Sequence, residues 1–359
     1  MPMKMVRTRA FPIGVDLGSS AVKLAQCRRA SEGTEVVGVV SRALPDGCHQ
    51  DARKRLDVLA KAIRQGLKSG SFRGHRCVLS VPADDTFVQH VKVPQGHPEQ
   101  MASLLIEELR PKLPYPPEQA VIRHMVATAL HGDGAARQEV IAVCALRARL
   151  EAYLDMARRC RLDVAAVNVE PCAIVECFAR MFRRAADADR ATLFVDLGSR
   201  STQVVLSQGS QVVFVRNLPA GGAQLDAAVA AGLAVSAEEA AQRRRAAQGA
   251  DADPEEVERV YRLLDAPLAN LAGELTQCLR YYESVFPNRQ VERAAFVGGQ
   301  ARDRRLCQTV AQHLNLPAQV GDPLAGLRAS VSDGTVERDR RAPQPGWTVA
   351  IGLSLIVAK

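Results

Sequence analysis

The chain has 359 residues, 47% of them apolar and 24% charged, with a formal net charge of +8. This composition fits a soluble globular protein of two or three domains, or one bilobal unit. It excludes a wholly disordered, collagen-like or disulfide-stapled chain.

The first run, Ile13 to Leu17, reads as a strand. It enters a Gly18-Ser19-Ser20 turn, the alternating strand Ala21 to Cys27 and a third strand, Thr34 to Ser41. Asp51 to Ser69 has apolar residues at 56, 59, 60, 63 and 67, the spacing of an amphipathic helix. Strands are predicted at Arg76 to Pro82 and Thr86 to Pro94. A helix follows from Pro98 to Lys112, stopped by Pro114-Tyr115-Pro116-Pro117. Strands Ala120 to Ala129 and Glu139 to Leu146 flank a His131-Gly132-Asp133-Gly134 turn, so residues 84–148 read as a small α+β insert. A helix over Arg149 to Arg161, a strand over Asp163 to Val169 and a helix over Glu170 to Arg184 follow, then a polar hinge at Asp187 to Arg190.

Phe194 to Ser201 then repeats the opening. Val-Asp-Leu-Gly-Ser recurs 180 residues after its first copy, again followed by an alternating strand and by a β-rich run from Gln211 to Asn217. We read a duplicated meander opening each half of a bilobal α/β protein. Helices are expected at Ala223 to Gly232, at Ser236 to Ala247 with a Ser236/Glu239 capping box, and at Pro254 to Phe286 with a break near Pro267. Strand Ala294 to Val297, a Gly298-Gly299-Gln300 turn, helix Arg304 to Leu314 and strand Ala318 to Val320 come next. A charged surface loop, Ser330 to Gln344, and a buried helix, Trp347 to Val357, close the chain.

Aromatics make up only 4% of the residues, which argues against a platform that stacks single-stranded nucleic acid. Arginine supplies 39 of the 47 basic residues, and its clusters at 242–245, 302–305 and 338–341 read as solvated faces. The nine cysteines are scattered without a CxxC pair, a pattern suited to a reducing compartment and unsuited to zinc. No signal-peptide pattern and no run of some 20 apolar residues is present, so any tie to a membrane is expected to pass through a partner.

The two Asp-x-Gly-Ser turns carry the chemistry. Glycine lets the backbone approach a phosphate, with successive N–H groups directed at its oxygens. An aspartate at the strand end can hold Mg²⁺ through waters, and Lys23 returns along the next strand toward the same phosphates. The strand, Gly298-Gly299 turn and helix form a third anion- or ribose-facing element.

In this order the motifs resemble the actin-like ATPase superfamily, and within it most closely the PilM family of type IV pilus assembly, which is related to the division protein FtsA. The carrying segments are Ile13 to Leu24, Pro114-Tyr115-Pro116, Val169-Glu170-Pro171, Leu218 to Gly222, Val297-Gly298-Gly299, Val320 to Leu324 and Ala350 to Leu355, so that the likeness spans residues 11–358. It implies a bilobal actin-like (ribonuclease H-like) fold with two βββαβα halves and the insert. The first half would comprise 11–83, 149–186 and the last helix, 346–358. The insert would be 84–148. The second half would be 190–345, with a helical nucleotide-covering subdomain at about 233–290.

The resemblance also implies ATP with Mg²⁺. Asp16 and Asp196 would order the metal and its waters, with Glu170 near its shell. Gly18, Ser19, Ser20 and Lys23 would hold the β-phosphate. Gly198, Ser199 and Ser201 would face the γ-phosphate, Gly298 and Gly299 the nucleoside, and Gln242 and Arg245 the ribose. Arg200 stands where the family has a small residue, to contact the γ-phosphate or block it. Ser199 is a weak orienter of water, so weak hydrolysis or none is expected. The implied role is a cytoplasmic adaptor, peripheral to the inner membrane, that grips the tail of a bitopic PilN-like protein. The grip would lie between the first half and the insert. Other pilus-platform proteins are expected as further partners, a related type II secretion platform is the alternative system, and no nucleic acid is expected. The alternatives are an FtsA-like filament protein, for which a linker and an amphipathic membrane helix would be expected after the Ile351 to Val357 run, and a sugar or small-acid kinase of the same fold.

Overall fold

The computed structural model describes residues 10–31, 33–95, 98–130, 137–181, 190–287, 289–329 and 342–356. The turn expected at 131–134, the greater part of the polar hinge at 187–190 and nearly all of the loop expected at 330–344 lie outside them.

The first sheet begins with the meander β1 (Ala10–Leu17), β2 (Ala21–Ala30) and β3 (Gly33–Ala43). Helix α1 (Ala52–Ser69) follows; the Asp51 side chain accepts from the Arg53 and Lys54 N–H groups and so caps it. Its face of Leu59, Ala60, Ala62, Ile63 and Gly66 is buried. Strand β4 (Arg76–Val81) runs parallel to β1, and β8 (Asp163–Val169) runs parallel to β4. With β14 (Arg328–Ala329) the sheet order is β14-β3-β2-β1-β4-β8.

Between β4 and β8 the chain builds β5 (Thr86–Pro94), α2 (Pro98–Leu109), β6 (Ala120–Leu130) and β7 (Arg137–Leu146), then α3 (Arg147–Arg159). The three strands form their own antiparallel sheet, β5-β7-β6. Val91, Val93, Met101, Leu105, Leu109, Val140, Ala142 and Cys144 make it a separate small core.

The second half repeats the first. Strands β9 (Ala191–Leu197), β10 (Thr202–Gln208) and β11 (Gln211–Leu218) form a meander, β12 (Val291–Val297) runs parallel to β9, and β13 (Ala318–Val320) parallel to β12. Helices α5 (Gly222–Leu233), α6 (Ala237–Ala246), α7 (Pro254–Val285) and α8 (Arg304–Leu314) complete it. The fold is a bilobal α/β actin-like one. The duplication holds at the register level: Asp16 pairs with Lys23 across β1–β2, and Asp196 with Gln203 across β9–β10.

Two helices differ most from expectation. Helix α7 is continuous through Pro267. An interior proline costs a helix about 3 kcal/mol, but Val260, Leu264, Leu268, Leu271, Leu275, Cys278 and Tyr282 form one buried stripe whose burial exceeds that cost. Helix α4 (Glu170–Phe178) gives way to a 3₁₀ turn at Ala179–Met181, and the last part of the helix expected up to Arg184 lies outside the described residues.

The last helix, α9 (Thr348–Leu355), is inserted between β1 and α4. Ser354 Oγ donates to the Pro12 carbonyl at 2.8 Å and accepts from the Cys27 N–H at 2.9 Å. Eight of the nine cysteines are buried, Cys172 is half-buried, and all are free thiols, which pack as small hydrophobes.

Candidate functional site

The two meander turns face each other across a cleft of about 770 Å³, counted with its open mouth. One wall carries Asp16, Gly18, Ser19, Ser20, Lys23, Arg55 and Asp84. The other carries Asp196, Gly198, Ser199, Ser201, Gln203, Gly298, Gly299 and Gln300, and Glu170 opens α4 at the base.

The turns are atomically alike. A Cβ on Gly18 would lie 2.7 Å from the Ala21 carbonyl oxygen, and one on Gly198 would lie 2.7 Å from that of Ser201. Each loop therefore closes so tightly that its backbone, without side chain, forms the cleft surface. Gly298 has φ +88°, and a Cβ there would meet Asp196 Oδ1 at 2.2 Å. That glycine brings the third turn directly against the second aspartate.

Carboxylates dominate the electrostatics. Lys23 Nζ lies 3.8 Å from Asp16 Oδ2. Burial raises Asp16 above the ordinary carboxylate range, against the pull of Lys23. Burial lifts Asp196 to about 6, with Lys23 opposing and Asp16 adding to the shift. Glu170 stands well above the ordinary range, first through burial, then through the charges of Asp16, Asp196 and Asp84. It accepts a short hydrogen bond from Gln203 Nε2. Carboxylates crowded in this way favour an incoming cation, which restores their ionised forms.

Of the residues predicted from sequence, Asp16, Gly18, Ser19, Ser20, Lys23, Glu170, Asp196, Gly198, Ser199, Ser201, Gly298 and Gly299 all line this cleft. Gln242 and Arg245 do not. Both are exposed on α6, and the residue turned inward is Arg244. Arg244 is 3% exposed and donates to Asp226 Oδ1 and Gln300 Oε1, each at 2.7 Å. The register of α6 decides this: a helix turns about 100° per residue, so the neighbour of an inward residue cannot share its direction. Arg200 neither fills the cleft nor faces it. Its Nε donates to Asp84 Oδ2 at 3.2 Å, and its Nη1 lies 2.6 Å from His49 Nε2. It therefore ties the second half to the first across the mouth. The other arginines at 243 and 305 are paired surface residues, with Glu239, Glu256 and Glu258.

Sequence reasoning missed Arg55, Gln203 and Gln300. Gln203 had a signal: it lies seven residues after Asp196, as Lys23 does after Asp16. Arg55 had one too, lying four residues before Leu59 on the apolar face of α1.

A family model described as type IV pilus assembly protein PilM matches residues 14–357. This chain belongs to the PilM family. Its fold is similar over nearly its whole length to a chain of a solved PilM-PilN type IV pilus biogenesis complex, with a TM-score of 0.78, 21% identity and coverage of 96% of this chain and 97% of that one. It is also similar to the ethanolamine utilization protein EutJ from Carboxydothermus hydrogenoformans, with a TM-score of 0.55, 14% identity and coverage of 99% and 91%. At these identities the likeness is one of fold. Among the described residues of this PilM-family chain, no helix is long and apolar enough to cross a membrane.

Proposed function

We propose that this chain is a nucleotide-binding adaptor of the type IV pilus assembly platform. It would work on the cytoplasmic side of the inner membrane and bind the tail of a PilN-like bitopic protein. The observation that carries the nucleotide part is the facing pair of turns, Gly18–Ser20 and Gly198–Ser201, with Lys23 and the Asp16/Asp196 pair between them. The residues fit the group. Gly18, Ser19, Ser20 and Lys23 would hold one phosphate, and Gly198, Ser199 and Ser201 the next. Gly298, Gly299 and Gln300 would line the nucleoside end. Among the described residues, no group of three or more His, Cys, Asp and Glu is placed to hold a metal by itself. Mg²⁺ would therefore be held by Asp16 and Asp196 through waters and by the phosphates, which suits an ion that dehydrates reluctantly. Bound there, it would neutralise phosphate charge.

Hydrolysis is expected to be slow. Ser199, which lines the cleft beside Gly198, is a weak orienter of attacking water compared with a carboxylate or amide. The partner part rests on family membership and on the likeness to a chain of a PilM-PilN complex. Asp16→Ala and Lys23→Ala are each expected to weaken Mg·ATP binding at least about tenfold, or 1.4 kcal/mol, in calorimetric titration. Unchanged affinity in both would remove the site assignment.

A further inference from the structure

We infer that Arg55 is an oxyanion-binding residue of the cleft, a second cation beside Lys23 that takes phosphoryl oxygens of a bound nucleotide or free inorganic phosphate. The inference rests on the nucleotide reading above and deepens it.

Topology puts Arg55 at the right end of the sheet. Ala43, the last residue of β3, registers with Ala21, the first of β2, so α1 starts beside the Gly18–Ser20 turn. Arg55 lies in its first turn and lines the cleft with Lys23 and that turn. The side chain is 7% exposed, and its Nε and Nη2 have no hydrogen-bond partner. Buried guanidinium groups are almost always paired. Here the nearby carboxylates are committed elsewhere. Asp51 caps α1 through Arg53 N and Lys54 N. Asp85 accepts a short hydrogen bond from Tyr153 and pairs with Arg149 at 3.3 Å, and Asp84 pairs with Arg200 at 3.2 Å. Lys23 is itself engaged by Asp16. Arg55 is thus a cation in the cleft wall with planar donors to spare, the chemistry that recognises a phosphoryl group in bidentate fashion. An unpaired buried charge destabilises the empty fold, and an anion delivered from the cleft removes that penalty.

Arg55→Met and Arg55→Lys test the assignment, titrated with Mg·ATP, Mg·ADP, adenosine and inorganic phosphate, and melted without ligand. Arg55→Met should weaken Mg·ATP and Mg·ADP at least tenfold, leave adenosine unchanged, and melt at the wild-type temperature or above. Arg55→Lys should recover part of the affinity. Phosphate that binds the wild-type chain, competes with ATP and is lost in Arg55→Met identifies free phosphate as a ligand of the same residue. Phosphate without effect assigns Arg55 to the nucleotide's own phosphates. Wild-type affinity in Arg55→Met, with a lowered melting temperature, overturns the inference and makes Arg55 structural, while the nucleotide reading stands. A wild-type chain that binds neither ATP nor phosphate overturns both.

Discussion

Replacing Gly352 with alanine is expected to unfold or severely destabilise the protein. A Cβ at that position would stand 1.9 Å from the Ala173 carbonyl oxygen and 2.6 Å from its carbon. Both are backbone atoms of α4, so no rotamer change relieves the clash. The opposite side of α9 is equally tight, because a Cβ on Gly14 would lie 2.0 Å from the Ala350 carbonyl oxygen. The helix is therefore held between β1 and α4 with no room to retreat. Overpacking usually costs about 1–3 kcal/mol, and an unyielding backbone places this substitution at or above that upper end. The displacement also reaches the cleft, since Asp16 follows Gly14 by two residues and Glu170 precedes Ala173 by three. Gly273→Ala is the control. A Cβ there meets nothing within 4 Å, and alanine in that exposed helical position should stabilise by roughly 0.5–1 kcal/mol. Urea denaturation of the two variants checks both signs.

The second large effect is expected at the contact between the insert and the second half. Glu139 on β7 is 1% exposed. It accepts from Tyr281 Oη of α7 at 2.5 Å and lies 3.1 Å from His90 Nδ1 of β5. The other nitrogen of His90 reaches the backbone of Val215, on the edge strand β11, at 3.2–3.3 Å. Removing one partner of a buried charge costs about 3–5 kcal/mol when nothing replaces it. His90→Ala leaves the Tyr281 bond, so a loss of about 2–3 kcal/mol is expected, together with faster amide exchange along β11. The pH dependence has a definite sign. Burial alone raises Glu139, but the hydrogen bonds from His90 and Tyr281 outweigh it and hold the carboxyl below its ordinary range. Its contribution is complete above the unfolded value of about 4.3 and is lost as pH falls through the lower folded value. Asp196 works oppositely: its folded pKa is raised to about 6, and its contribution is lost as pH rises through that value. The difference between wild type and Glu139→Gln, taken as a function of pH, isolates the first from the second.

The local pattern in the sequence was enough for most elements. Strands β5, β8 and β13 and helix α8 have the predicted limits, because alternation, a capping Asp303 and flanking turn residues act within a few positions. The twin turns were legible because the pentapeptide itself is repeated. What was not legible depends on tertiary direction. The continuity of α7 through Pro267 follows from a buried stripe provided by the rest of the second half. The inward direction of Arg244, with Gln242 and Arg245 left exposed, follows from the placement of Asp226 and Gln300, 18 and 56 residues away. Arg55 lies on the apolar face of α1, but its spare donors show only once Asp51, Asp84 and Asp85 are found bonded to other groups. The Arg200 contact with His49 and Asp84 joins residues more than 100 positions apart, beyond any local pattern.

The adaptor reading is tested most directly by the affinity of a synthetic PilN-like cytoplasmic tail peptide for the full chain, with and without Mg·ATP, in the wild type and in Asp16→Ala. Closure of the two halves on nucleotide would couple to the partner site, and linkage makes that coupling reciprocal. The peptide is expected to bind, Mg·ATP to shift its affinity about five-fold or more, at the low end of ordinary coupling energies, and Asp16→Ala to abolish the shift while keeping the peptide bound. Failure of the peptide to bind in either state, with the chain pelleting alongside membranes that contain no PilN-like protein, would contradict the adaptor reading.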